Sequence, residues 1–321
     1  MKKNKVKAAV IVLSGALTAM HLYNRFISKA ATSNHRLTDA KGQYFNWTHG
    51  KIYYTKRGTG EPILLVHDTD LTGSGAEWSN IATTLAKDHT VYTSDLLGCG
   101  RSDKPGLEYN NYLYAQMITA FVKEVIGERT DVIASNLSSS FVISAQALEE
   151  FLFDHIICIN PTPIEQLEMI PDTRSKLRKG LLDLPIIGTF LYNILSSPLH
   201  LDAIFKEFYF AKAQHITAEI KDTYYEAAHL KNSRGKYLLS SIFGNYMNVN
   251  LKVSLQKINK PICIIGSREL ERNTEYLHEY EKINRHVDVT MLSGAKNYPQ
   301  LEIPEKTLKV IIDFLNEEFY S

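Results

Sequence analysis

Short apolar runs recur along residues 43–321, at spacings that leave room for helices between them. The first two runs, at 43–48 and 51–57, alternate apolar and polar residues, as the strands of an antiparallel edge hairpin do. The later runs are nearly continuous stretches of Val, Ile and Leu, which is typical of strands that are buried on both faces. We expect these later strands at 62–67, 90–95, 130–135, 155–160, 261–266 and 287–292.

Helical periodicity separates the predicted strands, at 76–87, 109–126, 139–150 and 305–319. In the last segment, Leu308, Ile311, Ile312 and Leu315 share one face of a helix. Strands that alternate with helices favour a mainly parallel sheet with right-handed crossovers. The sequence therefore predicts an α/β fold with an eight-stranded, mostly parallel sheet flanked by helices.

Residues 164–256 interrupt this alternation with a helical pattern that contains no obvious strand. An insertion of this length between two strands predicts a helical lid over the carboxyl end of the sheet, where open α/β sheets bind ligands. We expect most of its many aromatic residues to form the core of the lid itself. They are Phe190, Tyr192, Phe205, Phe208, Tyr209, Phe210, Tyr224, Tyr225, Tyr237, Phe243 and Tyr246.

The N-terminal segment, residues 1–29, has the pattern of a membrane anchor or a signal peptide. Four lysines precede an uncharged run of 13 residues, Ala8 to Met20, and only Arg25 and Lys29 follow soon after. This charge asymmetry favours a cytoplasmic N-terminus with the rest of the chain on the far side of the membrane. Because no convincing cleavage site follows the run, we favour an uncleaved single-pass anchor over a cleaved signal of a secreted protein or a soluble amphipathic extension.

The remaining boundaries follow from composition. Residues 30–42 are polar and are typical of a linker. Residues 43–163 and 257–321 then form one core, which the lid at 164–256 interrupts.

Charge and cysteine content exclude several classes of function. The chain has 36 Lys and Arg against 35 Asp and Glu, so its net charge of +1 gives no general reason to bind nucleic acid. The three cysteines contain no CxxC pair, and the eleven histidines show no metal-ligand spacing. We therefore predict no metal, no cofactor and no nucleic-acid partner.

Several segments of residues 43–319 resemble the α/β-hydrolase superfamily, in the lidded group that includes esterases, haloperoxidases and dehalogenases. The strongest match is the loop at 94–105, SDLLGCGRSDKP, which resembles the family's signature Asp-Leu-x-Gly-x-Gly-x-Ser. The strand at 63–68, ILLVHD, resembles the family strand that ends in His-Gly, and Trp78 resembles the start of the family's first helix. The segment at 301–305, LEIPE, resembles the one that follows the family's catalytic histidine.

The resemblance implies a nucleophile on a tight turn after the fifth strand, and Asn136 occupies that position. A carboxamide cannot be activated by a histidine, but Asn tolerates the positive φ that such a turn requires. Ser135 and Ser138 are the neighbouring candidate nucleophiles. A shift of one residue turns a strand side chain to the other face, and Ser138 falls in the first turn of a helix. We expect helix capping and close packing for the serine run that Ser138 begins.

The family's catalytic histidine corresponds to Asn297, and no histidine occurs after His286. The family's acid, which follows the seventh strand, corresponds to Glu269. Lys296 would act as a base only if it were strongly desolvated. Asn136, Glu269 and Asn297 are therefore the positions of a degenerate triad.

The loop that supplies half of the family's oxyanion hole contains His67, Asp68 and Thr69, and Leu137 would supply the other backbone donor. Asp68 stands where the family has glycine, and a carboxylate opposes a developing oxyanion. Alternatively, Asp68 turns outward and bonds its own loop. We expect a structural role for His67.

These substitutions favour a membrane-anchored protein of α/β-hydrolase fold that binds a ligand or partner and does not catalyse hydrolysis. A small apolar ligand under the lid is the expected occupant. The first alternative is an active hydrolase of a small ester, amide or related apolar substrate with a rearranged site. The second is an interaction protein whose lid surface docks another protein.

Overall fold

The computed structural model describes residues 2–37 and 41–317, which are built around one eight-stranded sheet. Each strand lies within two residues of the bounds expected from the apolar runs. The strands are β1 (Gln43–Trp47), β2 (Gly50–Arg57), β3 (Pro62–Val66), β4 (Thr90–Ser94), β5 (Thr130–Ser135), β6 (Phe153–Ile159), β7 (Ile262–Ser267) and β8 (Val287–Leu292). Their order in space is β1-β2-β4-β3-β5-β6-β7-β8. β2 pairs antiparallel with both β1 and β4, and all the other pairs are parallel.

Fourteen helices are found in the described part of the chain. They are α1 (Lys2–Ala31), α2 (Ser79–Leu85), α3 (Asn111–Phe121), α4 (Ser138–Leu148), α5 (Ile164–Leu167), α6 (Thr173–Asp183), α7 (Ile187–Leu195), α8 (Pro198–Ile204), α9 (Ala218–Ser233), α10 (Lys236–Phe243), α11 (Leu251–Gln256), α12 (Asn273–Ile283), α13 (Pro299–Glu302) and α14 (Pro304–Leu315). Short 3₁₀ turns occur at Gly75–Trp78 and Ala213–His215, and π-helical turns at Val122–Ile126 and Phe205–Tyr209.

Two hydrophobic cores lie on the two faces of the sheet. Alternate residues of β3 point to opposite faces, so Leu64 packs in one core and Ile63 and Leu65 pack in the other. Trp78 shares the second core and has no exposed surface. Full burial of each such side chain contributes about 1.5–3 kcal/mol. The continuous apolar strands therefore reflect burial on both faces, as the sequence predicted.

The predicted helices differ from the observed ones mainly at their ends. The helix expected at 76–87 begins as a 3₁₀ turn, and the helix expected at 109–126 ends in a π-helical turn. The last helix, expected at 305–319, spans Pro304–Leu315, and residues 318 and 319 lie outside the described residues.

Residues 164–256, the predicted lid and named so below, form helices α5 to α11 with loops between them and contain no strand. The expected aromatic core is present in part: Phe205, Phe210 and Tyr224 are buried together. The same cluster includes Tyr298, which follows the last strand, so this core also attaches the lid to the sheet domain.

The signature loop is held by an ion pair, as its sequence predicted. The Arg101 guanidinium donates to both carboxylate oxygens of the buried Asp95, at 2.7 and 2.8 Å. The Gly75 N–H donates to the same carboxylate at 2.7 Å. The pair therefore ties the loop to the segment that leads into α2.

Helix α1 has two unlike halves. Its segment Asn4–Ala31 is long and apolar enough to cross a membrane, and its apolar side chains from Val6 to Leu13 are mostly exposed. The second half packs on α7 and α9 of the lid. The Asn193 side-chain amide donates to Asn24 Oδ1 at 2.9 Å, and the Tyr23 ring meets Phe190 edge to face.

The segment expected as a linker, residues 30–42, is partly docked on the lid. The buried Glu226 accepts the backbone N–H groups of Arg36 and Leu37, at 2.6 and 3.2 Å. Leu37 is itself buried against the lid. The polar composition predicted a linker, but the backbone at Arg36 and Leu37 is hydrogen-bonded to Glu226. Residues 38–40 of this segment lie outside the described residues.

Candidate functional site

The turn between β5 and α4 holds Asn136 at φ 46°, the left-handed conformation that the sequence predicted for this position. The Asn136 N–H donates to the Ile159 carbonyl at 2.8 Å, which fixes the turn to the end of β6. The Nδ2 atom of Asn136 is buried and has no hydrogen-bond partner. An elbow of the hydrolase type is therefore present, with a carboxamide at its tip.

Asp68 occupies the place where an oxyanion would be stabilised. Its Oδ1 accepts the Leu137 N–H at 3.3 Å, so the carboxylate faces the elbow and does not turn outward. The Tyr298 hydroxyl lies 3.5 Å from Oδ2. Burial, together with the nearby Asp70 and Glu77, raises the pKa of Asp68 well above its usual range, although the N–H groups of Leu137 and Thr69 lower it. One donor of the expected oxyanion hole is thus engaged by a carboxylate.

His67, for which the sequence predicts a structural role, is completely buried. Its Nε2 accepts the Leu96 N–H at 2.9 Å, so Nδ1 carries the proton and donates to the Asp68 carbonyl at 2.6 Å. Burial lowers the pKa of this imidazole, which favours the neutral ring. Both ring nitrogens are committed to the backbone.

Ser135 and Ser138 are both completely buried and both hydrogen-bonded. The Ser138 hydroxyl donates to the His67 carbonyl at 2.7 Å, and Ser138 begins α4 as expected. The Ser135 hydroxyl donates to Glu77 Oε1 at 2.5 Å. Neither serine lines the cleft described below.

Glu77 is a buried carboxylate that the sequence reasoning missed. Its oxygens accept from Ser135, from the Gln300 side-chain amide at 2.8 Å and from the Asp68 N–H at 2.9 Å. Burial raises the pKa of Glu77 to about 7, although these three donors lower it. An acidic residue in the first turn of a helix is usually explained by its favourable interaction with the helix dipole. The sequence therefore showed no sign that Glu77 is buried.

The side-chain amide of Asn297, the predicted histidine position, donates to the Phe208 carbonyl at 3.0 Å. Glu269 is exposed and accepts the Gly294 N–H at 2.6 Å, so it braces the loop after β8. The Lys296 ammonium donates to lid carbonyls, one of them that of Glu207 at 2.7 Å.

Asn160, at the end of β6, is a second residue that the sequence reasoning missed. Its side-chain amide donates to the carbonyls of Lys296 and Asn297, at 3.0 and 3.2 Å, and to the Ser267 hydroxyl. It is also held at φ 44°. Asn160 therefore positions the segment that carries Asn297. The sequence feature that could have identified Asn160 is its place as a polar residue at the carboxyl end of a buried strand.

A cleft of two lobes opens above Asn136. The lid-side lobe has a volume of about 210 Å³ and the strand-end lobe about 290 Å³, and Asp68, Asn136, Thr162 and Gln166 line both. The lid-side lobe is completed by Thr69, Leu137, Met169, Ile242, Asn245, Met247 and Asn248. The strand-end lobe is completed by Asn160, Pro161, Pro163, Leu270, Glu271, Asn273, Tyr276 and Asn297. The lining is rich in amides, whereas a small apolar ligand was expected here.

Curated enzymes show distant sequence similarity to this chain, although no model of a protein family matches it. The chain is 21% identical over 275 residues to the 2-(acetamidomethylene)succinate hydrolase of Mesorhizobium japonicum, a match that covers 83% of this chain and 93% of that enzyme. It is 25% identical over 109 residues to the 2-hydroxy-6-oxo-6-(2'-aminophenyl)hexa-2,4-dienoic acid hydrolase of Metapseudomonas resinovorans. That second match covers 32% of this chain and only 37% of the enzyme's length.

Solved structures resemble the chain more extensively. The α/β hydrolase ALR0039 of Nostoc sp. PCC 7120 superposes with a TM-score of 0.70 at 16% identity, over 88% of this chain and all of that one. A membrane phospholipase A superposes with a TM-score of 0.68 at 16% identity, over 98% of each chain. The chain has the α/β-hydrolase fold, as its strand order and its elbow also indicate.

Proposed function

We propose that this protein is a non-catalytic member of the α/β-hydrolase fold that binds a small molecule in the cleft above Asn136. One observation carries the proposal: the Asp68 carboxylate accepts the Leu137 N–H directly beside the carboxamide at the nucleophile position. Hydrolysis requires a nucleophile, a base and free donors for the oxyanion. The residues at all three places are unsuited to that reaction.

An active hydrolase with a rearranged site is the second candidate, and the contact between Ser135 and Glu77 favours it. A hydroxyl bonded to a carboxylate with a raised pKa has the form of a nucleophile with its base. The relatives named above are also hydrolases. The burial of Ser135 and its absence from the lining of the cleft weigh against this reading.

Reaction with a serine-directed fluorophosphonate separates the two candidates. We expect the full-length protein to remain unlabelled by intact-mass measurement and to leave activated acyl esters unhydrolysed above the buffer rate. Ser135→Ala and Ser138→Ala are the matched variants, because each removes one neighbouring hydroxyl. Labelling of the wild-type protein that disappears in either variant would establish a serine nucleophile and contradict the proposal.

We also propose that α1 is retained as a membrane anchor, with the folded domain on the side opposite the lysine-rich N-terminus. Docking of its second half supports retention, because cleavage anywhere between Asn24 and Leu37 would remove the Asn24–Asn193 and Tyr23–Phe190 contacts. A protein partner on the lid surface remains an alternative role for the anchored domain.

Retention of α1 predicts the mass and extraction behaviour of the mature protein. We expect the protein from its native host to have the mass of a chain that keeps residues 4–31, and to leave the membrane only with detergent. High-salt and carbonate washes are the controls for peripheral attachment. A mature chain that starts between Met20 and Leu37 would show that α1 is a cleaved signal.

A further inference from the structure

We propose that the ligand of the cleft carries an ammonium group, which pairs with the Asp68 carboxylate. This inference rests on the proposed binding function and names the chemical class of the ligand. It follows from the charge of the lining, from the long contacts that Asp68 makes within the protein, and from the neutral hydrogen-bonding groups around it.

The charge of the cleft is the first argument. Among the described residues, no Lys, Arg or His lines either lobe, whereas Asp68 lines both and Glu271 lines the strand-end lobe. Asp70 and Glu77 line neither lobe but are close enough to Asp68 to raise its pKa. A site built for an anionic substrate would supply cations or free donors at this place. A bound cation would favour the ionised form of Asp68, so the cleft can offer it a carboxylate partner.

The environment of Asp68 is the second argument. Besides the N–H of the neighbouring Thr69, it contacts the Leu137 N–H and the Tyr298 hydroxyl, and these two contacts are long, at 3.3 and 3.5 Å. An ammonium group typically approaches a carboxylate to about 2.7–2.9 Å, which forms a stronger bond than either contact. The raised pKa of Asp68 reflects lost hydration and neighbouring acids, and a bound cation would offset both. A positively charged partner would therefore stabilise the ionised side chain of Asp68 more than a neutral partner would.

The remaining surface indicates a small polar ligand. The Asn136 Nδ2 atom is buried and without a partner, so it offers a donor to a ligand oxygen in the cleft. The side chains of Gln166 and Asn245 add further amides, and Tyr276 adds an aromatic ring. The larger lobe, of about 290 Å³, holds roughly ten water-sized groups. An amine of this size with a polar body fits the lining.

Three compounds of equal chain length test this charge preference. The full-length protein in detergent is titrated with 1,4-diaminobutane, 1,4-butanediol and succinate, and binding is followed by calorimetry and by the shift in Tm. We expect 1,4-diaminobutane to bind at least tenfold more tightly than the diol and to raise Tm, with no response to succinate. Comparable binding of the diol or of succinate, or no binding of the diamine, would overturn the inference.

Two pairs of variants locate the cation. We expect Asp68→Asn to weaken binding of the diamine at least tenfold, and Asp288→Asn, an exposed carboxylate on β8, to leave it unchanged. Thr162→Lys places an ammonium group in both lobes without altering Asp68, so it should also abolish binding. Thr162→Met fills similar space without charge and should weaken binding far less. Equal effects of Thr162→Lys and Thr162→Met would contradict a charge-based site, even if Asp68→Asn failed to fold.

Failure of this inference can be distinguished from failure of the proposed function. If 1,4-butanediol binds as tightly as the diamine, the cleft is a binding site but not one for cations. If a fluorophosphonate labels Ser135 or Ser138, the non-catalytic reading fails whatever the cleft binds.

Discussion

A variant that carries Asn136→Ser, Asn297→His and Asp68→Gly together is expected to react with a fluorophosphonate, whereas the variant that keeps Asp68 reacts about a hundredfold more slowly. The first two changes restore a nucleophile and a base at the elbow and after the last strand. The third frees the Leu137 N–H, which Asp68 Oδ1 engages at 3.3 Å, and removes a negative charge beside the developing oxyanion. Loss of one such donor typically costs 10²–10³ in rate. The measurement is the rate of covalent labelling by intact mass.

The matched control replaces Asn136 by Ala in the background of the other two changes, and it should remain unlabelled. Each variant is first compared with the wild type by circular dichroism, because Ser at φ 46° carries a strain of about 1 kcal/mol. Equal labelling rates in the variants with and without Asp68→Gly would show that this carboxylate does not control the oxyanion donors.

Glu77→Gln is expected to remove a large pH dependence of stability between pH 4.5 and 7. The pKa of Glu77 rises from 4.5 to about 7 on folding because the side chain is buried. Below pH 4.5 the group is protonated in both the folded and the unfolded state. Between pH 4.5 and 7 only the unfolded state loses the proton, so the free energy of unfolding falls as the pH rises, by about 3 kcal/mol in all. Above pH 7 the group is ionised in both states and the difference no longer changes.

Urea unfolding across pH 4–8 measures this effect as the difference between wild type and Glu77→Gln. The exposed Glu305→Gln on α14 is the control for loss of one charge, and its difference from the wild type should be small. The difference for Glu77→Gln should change by about 3 kcal/mol across the window, in favour of the variant at the higher pH. A difference that does not change with pH would show that Glu77 ionises in the folded protein as it does in the unfolded chain.

The elbow was predictable because its chemistry is local. A strand of continuous apolar residues followed by a helix placed Asn136 on a tight turn, and the side chain at such a turn must tolerate a positive φ. The signature loop was predictable for a similar reason, since Asp95 and Arg101 lie only six residues apart and bond each other.

The sequence could not show that Asp68 accepts the Leu137 N–H, because the two residues are 69 positions apart. The sequence supports both an inward and an outward orientation of a loop aspartate, and the packing around it selects one. Glu77 was missed for the same reason: its partners Ser135 and Gln300 come from a strand end and a short helix far away in the chain.

The sequence by itself determined the class of fold, the eight strands and the helical character of residues 164–256, and it predicted the elbow that carries Asn136. These features depend on residue type and on periodicity along the chain. Only the tertiary structure decided where the Asp68 carboxylate lies, how Glu77 and Asn160 hold the site, and that the second half of α1 is packed on the lid. Those contacts join residues distant in the sequence, and burial sets their energies, so no local pattern encodes them.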